Sequence, residues 1–156
     1  MDTYTFQIVL LIILIILSGF FSASETALMA LSRIRVRHMV DEEIKGAKLL
    51  EKLLEDPNKL LGGILIGNNI VNIGASSLAS TLAFRIFGDG GVALATGVMT
   101  ILVLIFGEIT PKSLAKQNAE KVSLAVAPII NIVVTVFKPL VWLFSSVSSL
   151  IVRLLG

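Results

Sequence analysis

Three clusters of polar residues interrupt apolar runs of this sequence, and each carries oxygen atoms suited to a hard cation. The first is Ser18-Gly19-Phe20-Phe21-Ser22-Ala23-Ser24-Glu25-Thr26-Ala27-Leu28. Ser18, Ser22 and Glu25 are spaced i, i+4, i+7 and share one helix face, while Ser24 points elsewhere. Two hydroxyls one turn apart can offer oxygens to a single ion; alternatively, each serine bonds the carbonyl four residues earlier. Glu25 is a carboxylate inside or just under the membrane, placed either to face a cavity or to pair with Arg33 or Lys112. The second cluster is Gly67-Asn68-Asn69-Ile70-Val71-Asn72. Asn68 and Asn72 share a face, and Asn69 is turned away by about 100°. Amide oxygens are hard, uncharged ligands, and they also glue helices together. Gly63 and Gly67 form a GxxxG pair, which reads as close helix packing.

The third cluster, Phe106-Gly107-Glu108-Ile109-Thr110-Pro111-Lys112, is the most informative. Pro111 has no N–H, and its ring clashes with the carbonyl four residues back, that of Gly107. The helix ladder must break or bulge there. Lipid cannot satisfy the freed Gly107 carbonyl, so another group must. Glu108 lies next to it. A freed carbonyl beside a buried carboxylate is half of an oxygen-rich cation site. The competing reading is a proline kink patched by Thr110 or water, with Glu108 protonated or paired to Lys112.

The donors are hydroxyl, amide, carbonyl and carboxylate oxygens, which point to Mg²⁺, Ca²⁺ or Na⁺ over zinc or copper. The sequence has no cysteine and a single histidine, His38. Thiolate metal sites, disulfides and a two-histidine site are excluded. An intramembrane hydrolase is a poor alternative, because no base lies next to a serine and Lys112 is a weak candidate. The chain reads as an ion transporter and not an enzyme.

The elements that must position these residues are helices in a bilayer. Hydrophobic residues make up 55% of the 156, against 15% charged, where soluble domains carry about a quarter charged. The formal net charge of +2 gives no footprint for nucleic acid. No Lys or Arg precedes Arg33, so the first apolar run, about residues 4–31, lacks the basic start of a signal peptide and reads as a retained span. Seven of the thirteen basic residues lie between Ser32 and Lys59. The positive-inside rule puts that loop in the cytoplasm and the N-terminus outside. Val40, Ile44, Leu50, Leu53 and Leu54 recur at near-helical spacing up to Pro57, which predicts one amphipathic helix over about 38–56. The acidic run Asp41-Glu42-Glu43 reads as its solvated side, with cation gathering as the other use. Further spans are expected at about 60–84 and 92–114, joined by a short external loop around Gly88-Asp89-Gly90-Gly91.

Residues 122–155 are apolar enough to span but contain Pro128 and Lys138-Pro139. A fourth span would place Lys138 near the bilayer centre, at high cost. Two shorter helices bent at Pro139, lying along or dipping into the inner leaflet, avoid that cost and are the expectation here.

With its three motifs in this order on three successive spans, the chain resembles the membrane domain of the CNNM/CorC magnesium transporters, also called DUF21. The resemblance covers essentially the whole chain. It implies an all-α homodimer, each subunit with three transmembrane helices and a juxtamembrane belt over about 122–155. It also implies a dehydrated Mg²⁺ held by the Ser18 and Ser22 hydroxyls, Asn68, the Gly107 carbonyl and Glu108, with Pro111 as helix-breaking support. Glu25, Asn72 and Lys112 would line the cavity or stand behind these ligands. Export driven by Na⁺ entry at the plasma (inner) membrane is implied, as are cytoplasmic CBS domains as partners in the full-length protein; this chain lacks them. The competing function is a membrane anchor and dimerisation module whose polar residues only pack helices.

Overall fold

A computed structural model describes residues 3–155. All its regular elements are helices: α1 (Thr3–Ala30), α2 (Arg33–Asp41), α3 (Ala47–Leu54), α4 (Pro57–Phe87), α5 (Asp89–Leu102), a π-helical stretch (Val103–Ile109), α6 (Thr110–Gln117) and α7 (Ala119–Leu155). Helix is forced on such a chain, because in lipid every backbone group must find its partner within the segment. Among the described residues four stretches are long and apolar enough to cross a membrane: Tyr4–Ala30, Pro57–Phe87, Asp89–Gln117 and Ala119–Leu154. The first three match the expected spans to within a few residues.

Two expectations are corrected. The single helix over 38–56 is two helices, α2 and α3. Glu43 has φ 57° and Gly46 φ 92°, and a right-handed helix cannot continue through left-handed residues. Ser32 starts α2 earlier than expected, its hydroxyl accepting the Arg35 N–H at 3.2 Å, as an N-cap does. Residues 122–155 form no pair of helices bent at Pro139; α7 runs through both Pro128 and Pro139. Each proline deletes one ladder bond, whereas ending a helix frees about four N–H and four C=O groups. In an apolar setting the continuous helix is the lesser loss.

The main core gathers Phe21 and Leu28 of α1, Val36 and Met39 of α2, Leu50 of α3, Leu60 and Ile64 of α4, and Ala127 and Ile130 of α7. It lies toward the α2–α3 end of the bundle. A smaller core of Ala75, Ala79 and Met99, packed by Leu11, Leu14, Ile15 and Val103, lies toward the α4–α5 turn. Arg35 clasps α2 to α7 through two bonds to Glu120, at 2.6 and 2.9 Å. The hydrogen bonding and charge of Glu120 hold the Arg35 pKa above its usual value. Outward residues such as Ile16, Leu65, Ile73 and Ile109 are largely exposed, as a lipid-facing surface requires.

Candidate functional site

The three clusters meet at one level of the bundle. Ser18 lies twelve residues before the end of α1, Asn68 eleven after the start of α4, and Gly107 ten before the end of α6. At 1.5 Å per residue each is about 15–18 Å from the α2–α3 end. That distance is about half the thickness of a hydrocarbon core of roughly 30 Å.

The local backbone explains why Gly107 is exposed to chemistry. The Thr110 N–H bonds back five residues, to the Ile105 carbonyl. With the ladder shifted in this way, the donor missing at Pro111 is withdrawn from Phe106 as well as from Gly107. Both carbonyls approach α1. The Ser18 hydroxyl lies 3.5 Å from the Gly107 oxygen, and a Cβ on Gly19 would lie only 2.9 Å from the Phe106 oxygen. Glycine at 107 is equally required, since a Cβ there would lie 2.6 Å from Ser18 Oγ. Such π insertions recur at functional sites because they present carbonyls that an α-helix would consume.

Ser18 Oγ also lies 3.5 Å from Asn68 Oδ1. Asn72 Nδ2 donates to that same amide oxygen at 3.4 Å, which fixes its direction. One hydroxyl carries one proton, so Ser18 can satisfy only one of its two acceptors at a time. Ser18 and Ser22 are both 1% exposed, and the Ser22 hydroxyl has no hydrogen-bond partner. Among the described bonds none donates to the Ser18 or Ser22 oxygen, so both keep buried lone pairs that are unmet. Each such deficit costs about 1–3 kcal/mol.

Glu108 follows Gly107 directly and is half-buried. Lys112 Nζ lies 3.5 Å from Glu25, so among the described ion pairs Lys112 engages Glu25 and not Glu108. That resolves the two partners open to Glu25, since Arg33 is not the one chosen. Among the described residues no three His, Cys, Asp or Glu side chains gather into a metal cluster. A cation here would depend on neutral oxygens with one carboxylate beside them. Ser24 is buried and donates to the Phe20 carbonyl at 2.7 Å, and Asn69 Nδ2 donates to Leu65 at 2.9 Å; both stand apart from the cluster.

The glycine pair packs two different helices. A Cβ on Gly67 would lie 2.6 Å from the Phe21 ring of α1, and one on Gly63 would lie 2.9 Å from Val134 of α7. Gly67 thus lets α4 approach α1 closely where Asn68 reaches Ser18. Sequence reasoning missed the Phe106 carbonyl, although counting five residues back from Pro111 finds it. It also missed Ser123 of α7, fully buried with an unpartnered hydroxyl, which sits in an apolar run without a distinguishing pattern.

The profile of the CNNM family, described as the Cyclin M transmembrane N-terminal domain, matches residues 9–156. A "UPF0053 protein" of Haemophilus influenzae is 45% identical over 148 residues, covering 95% of this chain and 35% of the relative. The "UPF0053 inner membrane protein YfjD" of Escherichia coli is 43% identical over 140 residues, covering 90% and 33%. A "Polyamine export protein" of Haemophilus influenzae is 29% identical over 161 residues, covering 94% and 37%. The chain spans about a third of the length of these relatives. A bundle of apolar helices, the three polar motifs at one depth and a family profile that takes in nearly every residue agree: this chain belongs to the CNNM family of membrane proteins, in the part that forms its transmembrane domain.

Proposed function

We propose that the domain carries Mg²⁺ across the membrane through the oxygen cluster at mid-depth. The ligands in this reading are Ser18, Ser22, Asn68, the Gly107 carbonyl and Glu108. The observation that carries it is the set of unmet buried oxygens: Ser18 faces two acceptors and receives no bond among those described, and Ser22 beside it has no partner. A cation satisfies every one of those lone pairs at once. Adjacent ligands of an octahedral Mg²⁺ are about 2.9 Å apart, from metal–oxygen distances near 2.05 Å. The 3.5 Å pairs here are wider, so Mg²⁺ draws α1, α4 and the π stretch inward. Ca²⁺ fits the wider spacing, and that contraction is where selectivity between the two arises.

In the same reading the working unit is a homodimer, each subunit has three spans with residues 122–155 as a belt along the inner leaflet, and the α2–α3 end faces the cytoplasm. The N-terminus is outside, and Na⁺ entry drives Mg²⁺ export at the plasma (inner) membrane. Cytoplasmic CBS domains of the full-length protein regulate it. A second reading, export of a polyamine, is favoured by the name of one relative, the "Polyamine export protein" of Haemophilus influenzae. An extended polycation calls for several carboxylates, whereas the cluster offers mostly neutral oxygens around one. Flux into proteoliposomes separates the readings. Mg²⁺ should move and Glu108→Ala should abolish the movement; unchanged flux in that variant sinks the site, and spermidine flux without Mg²⁺ flux supports the second reading.

A further inference from the structure

A second row of oxygens lies beyond the cluster, toward the α4–α5 turn. Asn72, Ser76 and Ser80 continue from Asn68 in steps of four, a ridge that winds by about 120° around α4. Across from the last two, α5 presents Thr96 and Thr100. Ser76, Ser80, Thr96 and Thr100 line an open cleft of about 260 Å³ together with Met99 and Val103, and Ser76, Thr96 and Thr100 are exposed along it. At about 30 Å³ per water, several waters fit. Ser80 is about 18 Å from Asn68 along α4, enough to carry the row from mid-depth to the far side.

The chemistry of the row is selective. Thr96 Oγ1 donates to the Val92 carbonyl at 2.9 Å and Thr100 Oγ1 to the Thr96 carbonyl at 2.8 Å. Their protons are spent on the helix, so the lone pairs left to the cleft accept and do not donate. The Asn72 amide oxygen, one turn from Ser76, is buried without a partner. Such a surface suits a hydrated cation and repels an anion. Beside the cleft and at its own depth lies the small core, in which Met99 is 4% exposed and against which Leu11, Leu14 and Val103 pack. Met99 and Val103 belong to both the cleft and this core.

We propose that this cleft is the far half of the ion's route, shut off from the oxygen cluster at Val103, which lines the cleft and lies one turn before Gly107, 3.5 Å from where a Cβ there would sit. The proposal rests on the transport reading above. The sequence has no cysteine, so single substitutions report accessibility cleanly. Thr96→Cys, Thr100→Cys and the lipid-facing control Ile73→Cys, whose native residue is 66% exposed, would be placed in sealed vesicles. A charged, membrane-impermeant methanethiosulfonate would be added on the side opposite α2 and α3. Both threonine positions should label at least tenfold faster than the control. Equal or slower labelling overturns the proposal, as does disulfide formation between copies on mild oxidation, which would make the row a contact between subunits. In a second arm, Thr96→Val combined with Thr100→Val should lower Mg²⁺ flux at least fivefold and leave Mg²⁺ binding within twofold; unchanged flux also overturns it. Fast labelling in a protein that moves no Mg²⁺ upholds the water-filled route and overturns the transported ion instead.

Discussion

Replacing Gly107 by alanine tests the close approach of the π stretch to α1 without removing a single oxygen. The added Cβ would lie 2.6 Å from Ser18 Oγ and 3.2 Å from Ser18 Cβ. Ordinary contact begins near 3.4 Å, so the hydroxyl must retreat by about 0.8 Å or rotate out of the cluster, an overpacking that costs about 1–3 kcal/mol. Either response widens pairs that Mg²⁺ needs to close. We expect Gly107→Ala to bind Mg²⁺ at least tenfold more weakly, or about 1.4 kcal/mol. Thermal unfolding with and without Mg²⁺ reads this directly. At a hundred times its Kd, Mg²⁺ stabilises the wild type by about 2.7 kcal/mol, and a tenfold weaker variant gains about 1.4 kcal/mol at the same concentration. Gly97→Ala is the control, since its Cβ meets nothing within 4 Å; it should keep the full Mg²⁺ response. A Gly107→Ala protein with the wild-type response would refute the packing argument.

Ser18→Ala removes the hydroxyl that touches both Asn68 and Gly107; calorimetry should find Mg²⁺ affinity down at least tenfold while the chain stays folded. Glu25→Gln should change Mg²⁺ affinity less than threefold, because Glu25 is engaged with Lys112. Its stability loss in chemical denaturation should stay within about 1 kcal/mol, as for other partly exposed pairs. Arg35→Ala should lower the melting temperature by unclasping α2 from α7, and the difference from wild type should shrink as salt approaches about 1 M, where charges are screened within about 3 Å.

Much of the site could be read from residue types, because polar groups inside apolar runs stand out and Pro111 names the carbonyls it strands. The i, i+4 spacings placed Ser18 with Ser22 and Asn68 with Asn72 on common faces, and the structure keeps those faces. The depth match of the three clusters follows from helix rise alone. Other features depend on competition that spacing does not encode. Whether Pro111 kinks the helix or inserts a π turn depends on how Gly19 and Ser18 receive the carbonyls from across the bundle. Glu25 had two possible partners, and tertiary packing chose Lys112. The turn between α2 and α3 hides behind an unbroken apolar pattern, since Glu43 gives no composition signal for a positive φ. The continuity of α7 through Pro139 reflects the cost of ending a helix in an apolar setting, which outweighs a local helix-breaking signal.

The central claim is that an oxygen cluster with one neighbouring carboxylate holds the transported ion. Calorimetric titration of Mg²⁺, Ca²⁺ and Na⁺ into the wild-type chain and into Glu108→Ala tests it most directly. The account predicts saturable Mg²⁺ binding at one ion per chain in the wild type, weakened by competing Ca²⁺ and lost in Glu108→Ala. An isotherm for Glu108→Ala that overlays the wild type, or no saturable Mg²⁺ binding in either protein, would contradict it.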